Sequence, residues 1–173
     1  MKRNLNFWQF IGFGFVSLFG TLLHFLYDWF GGNIAALFSG VNESTWEHMK
    51  LLFFPLFLFA IIESFVVGKN YENFWCVKLK GALLGLLLIP TIFYTLQGIF
   101  GKTPDFINIS IFYISAAVVF IYETRQFKAN NSCKLEKIAI LIFGLIAILF
   151  MIFTFAPPII PLFKDPINNS YGL

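Results

Sequence analysis

The sequence predicts an all-α polytopic membrane protein, a bundle of five transmembrane helices with a cytoplasmic N-terminus and an outer C-terminus. Of its 173 residues, 58% are hydrophobic and 12% are charged, against roughly 45–50% and about 25% in ordinary globular domains. The mean hydropathy is +0.79. The apolar residues form long runs without the alternation of β-barrel strands, and helices are the other structure that satisfies the backbone inside lipid.

Five apolar windows are long enough to cross a bilayer, because a hydrocarbon core of about 30 Å requires ~20 helical residues. Together they predict a single transmembrane domain over residues 1–173. The first window is too long for the apolar region of a signal peptide and no small-residue cleavage site follows it, so we expect it to remain as an anchor. The predicted spans are Leu5–Trp29, Thr45–Gly68, Phe74–Phe100, Pro104–Phe127 and Leu135–Ala156.

Two segments outside the spans carry further signals. Gly31–Gly40 holds a short apolar run between glycines, which indicates either a re-entrant lid or a loop with one apolar turn, and the loop is favoured. The tail Pro157–Leu173 contains four prolines, so it cannot be helical throughout. We expect the tail to lie extended on the outer surface.

Lysine and arginine are distributed unevenly between the two sides. With the N-terminus in the cytoplasm, nine lie on the inner side and three, Lys50, Lys102 and Lys164, on the outer side. The positive-inside rule therefore predicts this orientation, in a multi-pass protein of the cell membrane. The net charge of +3 is too small for a nucleic-acid partner. The apolar spans make the lipid bilayer the expected partner.

Both cysteines, Cys76 and Cys133, fall at helix ends on the predicted inner side. Thiols are kept reduced in the cytoplasm. We therefore expect both cysteines to be free and structural rather than paired.

Ionisable residues inside a membrane are costly, which makes them the first candidates for function. Both histidines, His24 and His48, fall near the outer boundary. His24 and Asp28 are one turn apart and share a helix face. Because a short outer loop joins the first two spans, His48 would reach the depth of His24, and the carboxylates of Asp28, Glu43 and Glu47 would converge with both imidazoles.

Part of this cluster also has a structural interpretation. Ser44 and Glu47 match the Ser-x-x-Glu pattern of a capping box at the start of the second span. That interpretation does not require Asn42, Glu43 or His48, so these three stay candidates for function.

Imidazole and carboxylate together suit a divalent Zn²⁺, Mn²⁺ or Fe²⁺ ion. Such an ion would activate water or polarise a substrate oxygen. Without a metal, a carboxylate–histidine pair would act as general acid and base. The predicted metal ligands are His24, Asp28, Glu47 and His48. The predicted catalytic residues are Glu43, Glu47 and His48. The predicted contacts to substrate or to these residues are Asn42, Trp46, Lys50, Tyr94 and Gln97.

Two glutamates lie away from this cluster. Glu63 is in the inner half of the second span, on roughly the side of His48 but about 22 Å below it. It marks either a path across the membrane or an ion pair with Lys69 or Lys78 at the inner surface, and the ion pair is favoured. Glu123, near the inner end of the fourth span, is expected to be interfacial.

The run Asn42–Lys50, which follows a His-x-x-x-Asp helix, resembles a family of small bacterial integral membrane proteins of unknown function. The recurring pattern of that family is Asn-Glu-Ser-x-Trp-Glu-His-x-Lys, and this chain matches it at each fixed position. The resemblance implies no reaction. It implies a site built from His24, Asp28, Asn42, Glu43, Glu47 and His48.

Three functions remain open at this point. A metal-dependent hydrolase or transferase would use the cluster on a lipid, a small molecule or a membrane-bound substrate. A small transporter or ion-conducting protein would use it as a binding site, with Glu63 as a lower station. An accessory or sensor subunit would present it to a partner. The last span, in which Thr154 is the internal polar residue, is expected to serve packing or homo-oligomer contact.

Overall fold

The computed structural model describes residues 4–101, 103–129 and 131–173. Lys2, Arg3 and Lys102, which entered the orientation count, lie outside the described residues. The described helices are α1 (Leu5–Phe30), α2 (Gly32–Phe38), α3 (Thr45–Val66), α4 (Phe74–Phe100), α5 (Asp105–Ala129) and α6 (Glu136–Phe155). A short 3₁₀ turn at Gly68–Asn70 follows α3, and a second at Pro161–Phe163 follows α6.

The prediction of five long apolar helices is confirmed. α1, α3, α4, α5 and α6 begin and end within two residues of the predicted spans, and each is long and apolar enough to cross a membrane. We call the end of the bundle that carries His24 and His48 the histidine end. The opposite end, which carries Cys76 and Cys133, is the cysteine end.

Helix α3 is the centre of the bundle. In its most apolar window 61% of the residues are buried inside the protein, against 17–28% in the other four long helices. It packs against α1, α4 and α6, and its Phe53 lies between Phe143 and Phe150 at ring-centroid distances of 5.8 and 5.1 Å. A helix that is apolar on all sides belongs in a core. Because α3 is held in the centre of the bundle, the position of its first turn, which carries His48, is fixed as well.

The peripheral helices turn large apolar side chains outward. Phe10 on α1, Leu87 on α4 and Leu141 on α6 are 75%, 66% and 69% exposed. Such broad apolar exposure is uncommon on a protein surrounded by water. The arrangement is typical of helices whose outer faces contact lipid.

The prediction of free cysteines is wrong. Cys76 and Cys133 form a disulfide, with Cα atoms 6.3 Å apart, that joins the start of α4 to the segment before α6. Glu136 supports the same junction, because its carboxylate accepts the backbone N–H groups of Trp75 and Cys76 at 3.0 and 2.8 Å. The prediction relied on the reducing compartment alone. It could not take into account that the start of α4 and the segment before α6 lie next to each other.

The disulfide bears on the predicted orientation. Disulfides persist in oxidising compartments, whereas the lysine and arginine count assigns the cysteine end to the cytoplasm. The two arguments oppose each other, and the orientation stays a prediction.

The two segments outside the spans are more ordered than predicted. Gly31–Gly40 contains the two-turn helix α2, whose Ala36 is fully buried. The tail folds back over the end of α6: Lys164 and Tyr171 form an antiparallel bridge, and the N–H of Leu173 donates to the Thr154 carbonyl at 2.9 Å. Both segments therefore cover the histidine end.

Candidate functional site

The start of α3 is shaped by short-range hydrogen bonds. Ser44 is the N-cap, and its hydroxyl accepts the N–H of Glu47 at 3.4 Å. The side-chain oxygen of Asn42 accepts the N–H of Ser44 at 2.9 Å, while its amide nitrogen donates to the carbonyl of Gly172 in the tail at 3.0 Å. Glu43 is therefore held between two anchored residues, next to the first turn of α3.

Three potential ligand groups converge at this point. One ligand atom each from His24, Glu43 and His48 lies within 4.8 Å of the other two. The Oε1 atom of Glu43 is 3.8 Å from His24 Nε2, and its Oε2 atom is 3.5 Å from His48 Nε2. The two imidazole rings are 5.5 Å apart and nearly perpendicular. All three side chains are between 29% and 41% exposed, so a ligand can reach them from solvent.

The tautomer of His48 is set by its backbone contact. Its Nδ1 atom lies 3.0 Å from the carbonyl oxygen of Ser44. A carbonyl oxygen only accepts, so Nδ1 carries the hydrogen, and in the neutral ring Nε2 presents a lone pair. The nearest Glu43 carboxylate oxygen lies 3.5 Å from this nitrogen. Metal-binding histidines are oriented in the same way, by a hydrogen bond from the other ring nitrogen.

A hollow of about 310 Å³, counting the space open at its mouth, surrounds the three groups. Asp28 lines it, although its carboxylate is not among the three converging groups. The hollow is lined by His24, Asp28, Gly40, Val41, Asn42, Glu43, Glu47, His48 and Leu51. It is the place where the sequence prediction and the structure overlap most.

Glu47 and Lys50, predicted as ligand and substrate contact, are engaged with each other. The Lys50 ammonium lies 2.5 Å from Glu47 Oε2 and donates at 2.9 Å to the carbonyl of Ala36 and at 2.9 Å to the hydroxyl of Thr154. Both charged side chains are buried. Since an ammonium has three donors, Lys50 is fully used in joining α2, α3 and α6.

The capping-box interpretation holds for one of its two residues. Ser44 caps α3 as predicted, but the backbone N–H of Ser44 is bound by Asn42 and not by Glu47. The Glu47 carboxylate accepts the N–H of Val41 at 3.2 Å instead. The Lys50 ammonium binds the same carboxylate through a short charge-assisted contact, which directs Glu47 toward Lys50 and away from Ser44.

A second groove of about 570 Å³, again counting open space, adjoins the hollow and shares Glu43 with it. Tyr94 and Gln97, predicted as substrate contacts, line this groove, and Lys164 from the tail lines it as well. Sequence reasoning used Lys164 for orientation and missed its place at the site. No local signal could have found it, since the tail reaches the groove by folding back.

Trp46 belongs to neither cavity. Its ring packs against Phe150 and Phe163, with centroids 4.4 and 4.6 Å away. It anchors the start of α3 on α6 and the tail, and so supports the site from behind.

A separate polar cluster lies toward the cysteine end. The Lys78 ammonium is 2.5 Å from Glu63 and 2.6 Å from Glu123. The favoured ion pair of Glu63 is therefore confirmed, with Lys78 as the partner, but it is buried and not at the surface. The Glu123 side chain is 1% exposed, so it is buried within the bundle, and its position near the membrane interface stays a prediction. Gly81 makes this burial possible, since a Cβ atom there would come within 2.6 Å of the Glu123 carboxylate.

Comparison with known proteins gives one family match. The model of the "Family of unknown function (DUF6512)" matches residues 1–173. No curated protein and no solved structure matches the chain.

Proposed function

The chain belongs to the family of unknown function DUF6512, and we propose that its histidine end binds a divalent metal ion with which it acts on a lipid or another membrane-bound substrate. The reaction we propose is hydrolysis or group transfer. The proposed setting is the cell membrane, crossed by all five long helices, with the histidine end facing outward as the lysine and arginine count predicts.

One observation carries the proposal. The lone pair of His48 Nε2 and the Oε2 atom of Glu43 face each other at 3.5 Å. Two acceptors at this distance repel unless a proton on Nε2 or a metal cation lies between them. His24 adds a third donor atom within the same 4.8 Å group. In the described part of the chain Glu43 forms no ion pair with lysine or arginine, so the positive charge beside it is either a proton on one of the two imidazoles or an external cation, and the proposal is the external cation.

The donor set indicates the kind of metal. Two imidazoles and one carboxylate match catalytic zinc sites with an open fourth position, and also the facial triad of non-haem iron. When bound, such an ion makes water nucleophilic near neutral pH. Asp28 lines the same hollow, where its carboxylate is suited to accept a proton from that water.

The adjoining groove supports a substrate with a polar head and an apolar body. Lys164, Tyr94 and Gln97 offer a charge and hydrogen bonds, while Phe93 and Pro161 offer apolar surface. Because Glu43 lines both the groove and the hollow, a head group bound in the groove would bring its scissile bond toward the metal ligands.

Metal binding to the purified full-length chain in detergent tests the first half of the proposal. We expect about one Zn²⁺ per chain by calorimetric titration. Substituting His48→Ala or Glu43→Gln removes one of three ligands and should weaken binding at least about tenfold, roughly 1.4 kcal/mol. Asp105→Asn is the matched control, because Asp105 is an exposed carboxylate at the start of α5 and should leave the affinity unchanged.

The outcome that contradicts the proposal is equally clear. If the wild type binds no divalent metal, or if His48→Ala and Glu43→Gln bind as tightly as Asp105→Asn, the three groups do not form a metal site.

Two reconstituted assays then separate the alternatives. The enzyme proposal requires the metal-loaded protein to release water-soluble products from vesicles containing lipid esters and phosphodiesters. A transporter would move the metal or a proton into sealed vesicles without product release. An accessory subunit would do neither, and either result would overturn the proposed reaction.

A further inference from the structure

The cluster toward the cysteine end contains more negative than positive charge. Glu63, Lys78 and Glu123 are 0%, 2% and 1% exposed. A single ammonium, that of Lys78, contacts both carboxylates, at 2.5 and 2.6 Å. The three groups come from α3, α4 and α5, so the arrangement is part of the packing of the bundle and not of one flexible side chain.

The groups that contact the Lys78 ammonium favour its charged form, against the cost of burial. Besides the two carboxylates, four aromatic rings lie with their centroids 5.4–5.9 Å from its ammonium nitrogen, and ring faces attract a cation. These rings belong to Phe59, Phe74, Phe120 and Phe127. The ammonium can neutralise one carboxylate, so one negative charge is left over in an apolar environment, where an unpaired charge is very costly.

The other described groups that face the cluster do not supply the missing positive charge. Gln9 from α1 donates its amide nitrogen to Glu63 at 2.9 Å and is uncharged. The charge of Glu63 acts on the phenol of Tyr71 and that of Glu123 on the phenol of Tyr122, and a phenol is neutral near pH 7. Burial, and then the charge of Glu63, raise the pKa of the Tyr71 phenol further.

We propose that Glu63 and Glu123 together bind one exchangeable proton, which makes the cluster a proton-binding site inside the bundle. A single O–H bond forms on one carboxylate oxygen, the proton comes from water, and no other bond breaks. With the proton bound, one carboxylate and one ammonium remain and the cluster is neutral. The proton belongs to the pair, as in other closely coupled carboxylates.

Gln9 can bond to the cluster whether or not the proton is bound. Its side chain is 3% exposed, and its Oε1 atom is buried without a hydrogen-bond partner among the described residues. When its amide is turned over, Oε1 takes the position 2.9 Å from Glu63 that the nitrogen holds, and it can then accept a hydrogen bond from a protonated Glu63. An amide is the side chain that serves both protonation states.

Infrared spectroscopy of the full-length wild type tests this directly. A protonated carboxyl group has a C=O absorption that a carboxylate lacks, and we expect one such band near neutral pH that shifts when the protein is labelled with ¹³C-glutamate. Glu63→Gln and Glu123→Gln each leave one carboxylate opposite Lys78, so each should abolish the band. Glu72→Gln, which changes an exposed glutamate at the same end, should leave it.

The labelled wild type keeps the test decisive even if one variant fails to fold. Absence of a glutamic-acid band at every pH at which the protein stays folded would overturn the proposal. So would a band that survives in both Glu63→Gln and Glu123→Gln. If a sodium ion supplies the charge instead, the band is absent and thermal stability depends on sodium concentration, and this result also overturns the proposal.

Discussion

The two polar clusters of this bundle use similar side chains in opposite ways. At the histidine end, His24, Glu43 and His48 are partly exposed and form no ion pair with a described lysine or arginine. Toward the cysteine end, Glu63 and Glu123 are fully buried around Lys78. The first cluster is open and short of a cation, whereas the second is closed and supplies most of its own countercharge.

The difference separates binding from assembly. A buried ion pair is costly to disrupt, because removing one partner leaves a charge without water or counterion. A half-exposed group loses little when its neighbour is removed, since water replaces the contact. We therefore expect substitutions in the closed cluster to act on stability and those in the open cluster to act on ligand binding.

The largest effect is expected for Lys78→Met. The change leaves two carboxylates buried without their common ammonium, and breaking such a pair costs about 3–5 kcal/mol. The measurement is the free energy of unfolding in mixed detergent micelles. Lys80→Met is the matched control, because Lys80 lies on the same helix and is exposed, and its substitution should change stability by less than about 0.5 kcal/mol.

Equal stability of Lys78→Met and Lys80→Met would show that the closed cluster contributes nothing to assembly. The contrast between the two clusters would then have no energetic basis.

The disulfide at the cysteine end should have the next largest effect. Cys76 and Cys133 are 57 residues apart in sequence, and closing a long loop stabilises a protein by about 2–4 kcal/mol. The double variant Cys76→Ser/Cys133→Ser should lose this amount in the free energy of unfolding. Reducing agent should lower the stability of the wild type equally and leave the double variant unchanged.

The wild type is isolated with its free thiols blocked, so that no disulfide can form afterwards. If its stability then does not respond to reducing agent, the Cys76–Cys133 disulfide is not formed in the membrane. That outcome would agree with a cytoplasmic cysteine end, as the lysine and arginine count predicts.

The helices could be predicted from the sequence because the signal for them is local. A run of apolar residues of sufficient length specifies a helix wherever it packs, so the ends of α3 and α4 were found to within two residues. Partners across the bundle are a different matter. The pairing of Cys76 with Cys133, and the burial of Glu123 against Gly81, depend on which helix faces meet.

The candidate site shows the same limit at shorter range. The approach of His24 and His48 followed from antiparallel neighbouring spans joined by a short loop. The direction in which the Glu47 side chain points could not be predicted in this way. It is decided by the ion pair with Lys50, which is itself bound to Ala36 and Thr154 from two other helices. Sequence spacing places a side chain on a helix face, and tertiary partners decide what it contacts.

The smallest effect on stability is expected at the open cluster, and it sharpens the contrast with Lys78. Without metal, His48→Ala removes a partly exposed ring and its contact with the Glu43 carboxylate. The free energy of unfolding should therefore change by less than about 0.5 kcal/mol. With Zn²⁺ at a hundred times its dissociation constant, the wild type should gain about 2.7 kcal/mol and His48→Ala should gain almost nothing. A loss of several kcal/mol in the metal-free variant would place His48 among the residues that hold the bundle together, and the division between an open binding cluster and a closed structural one would fail.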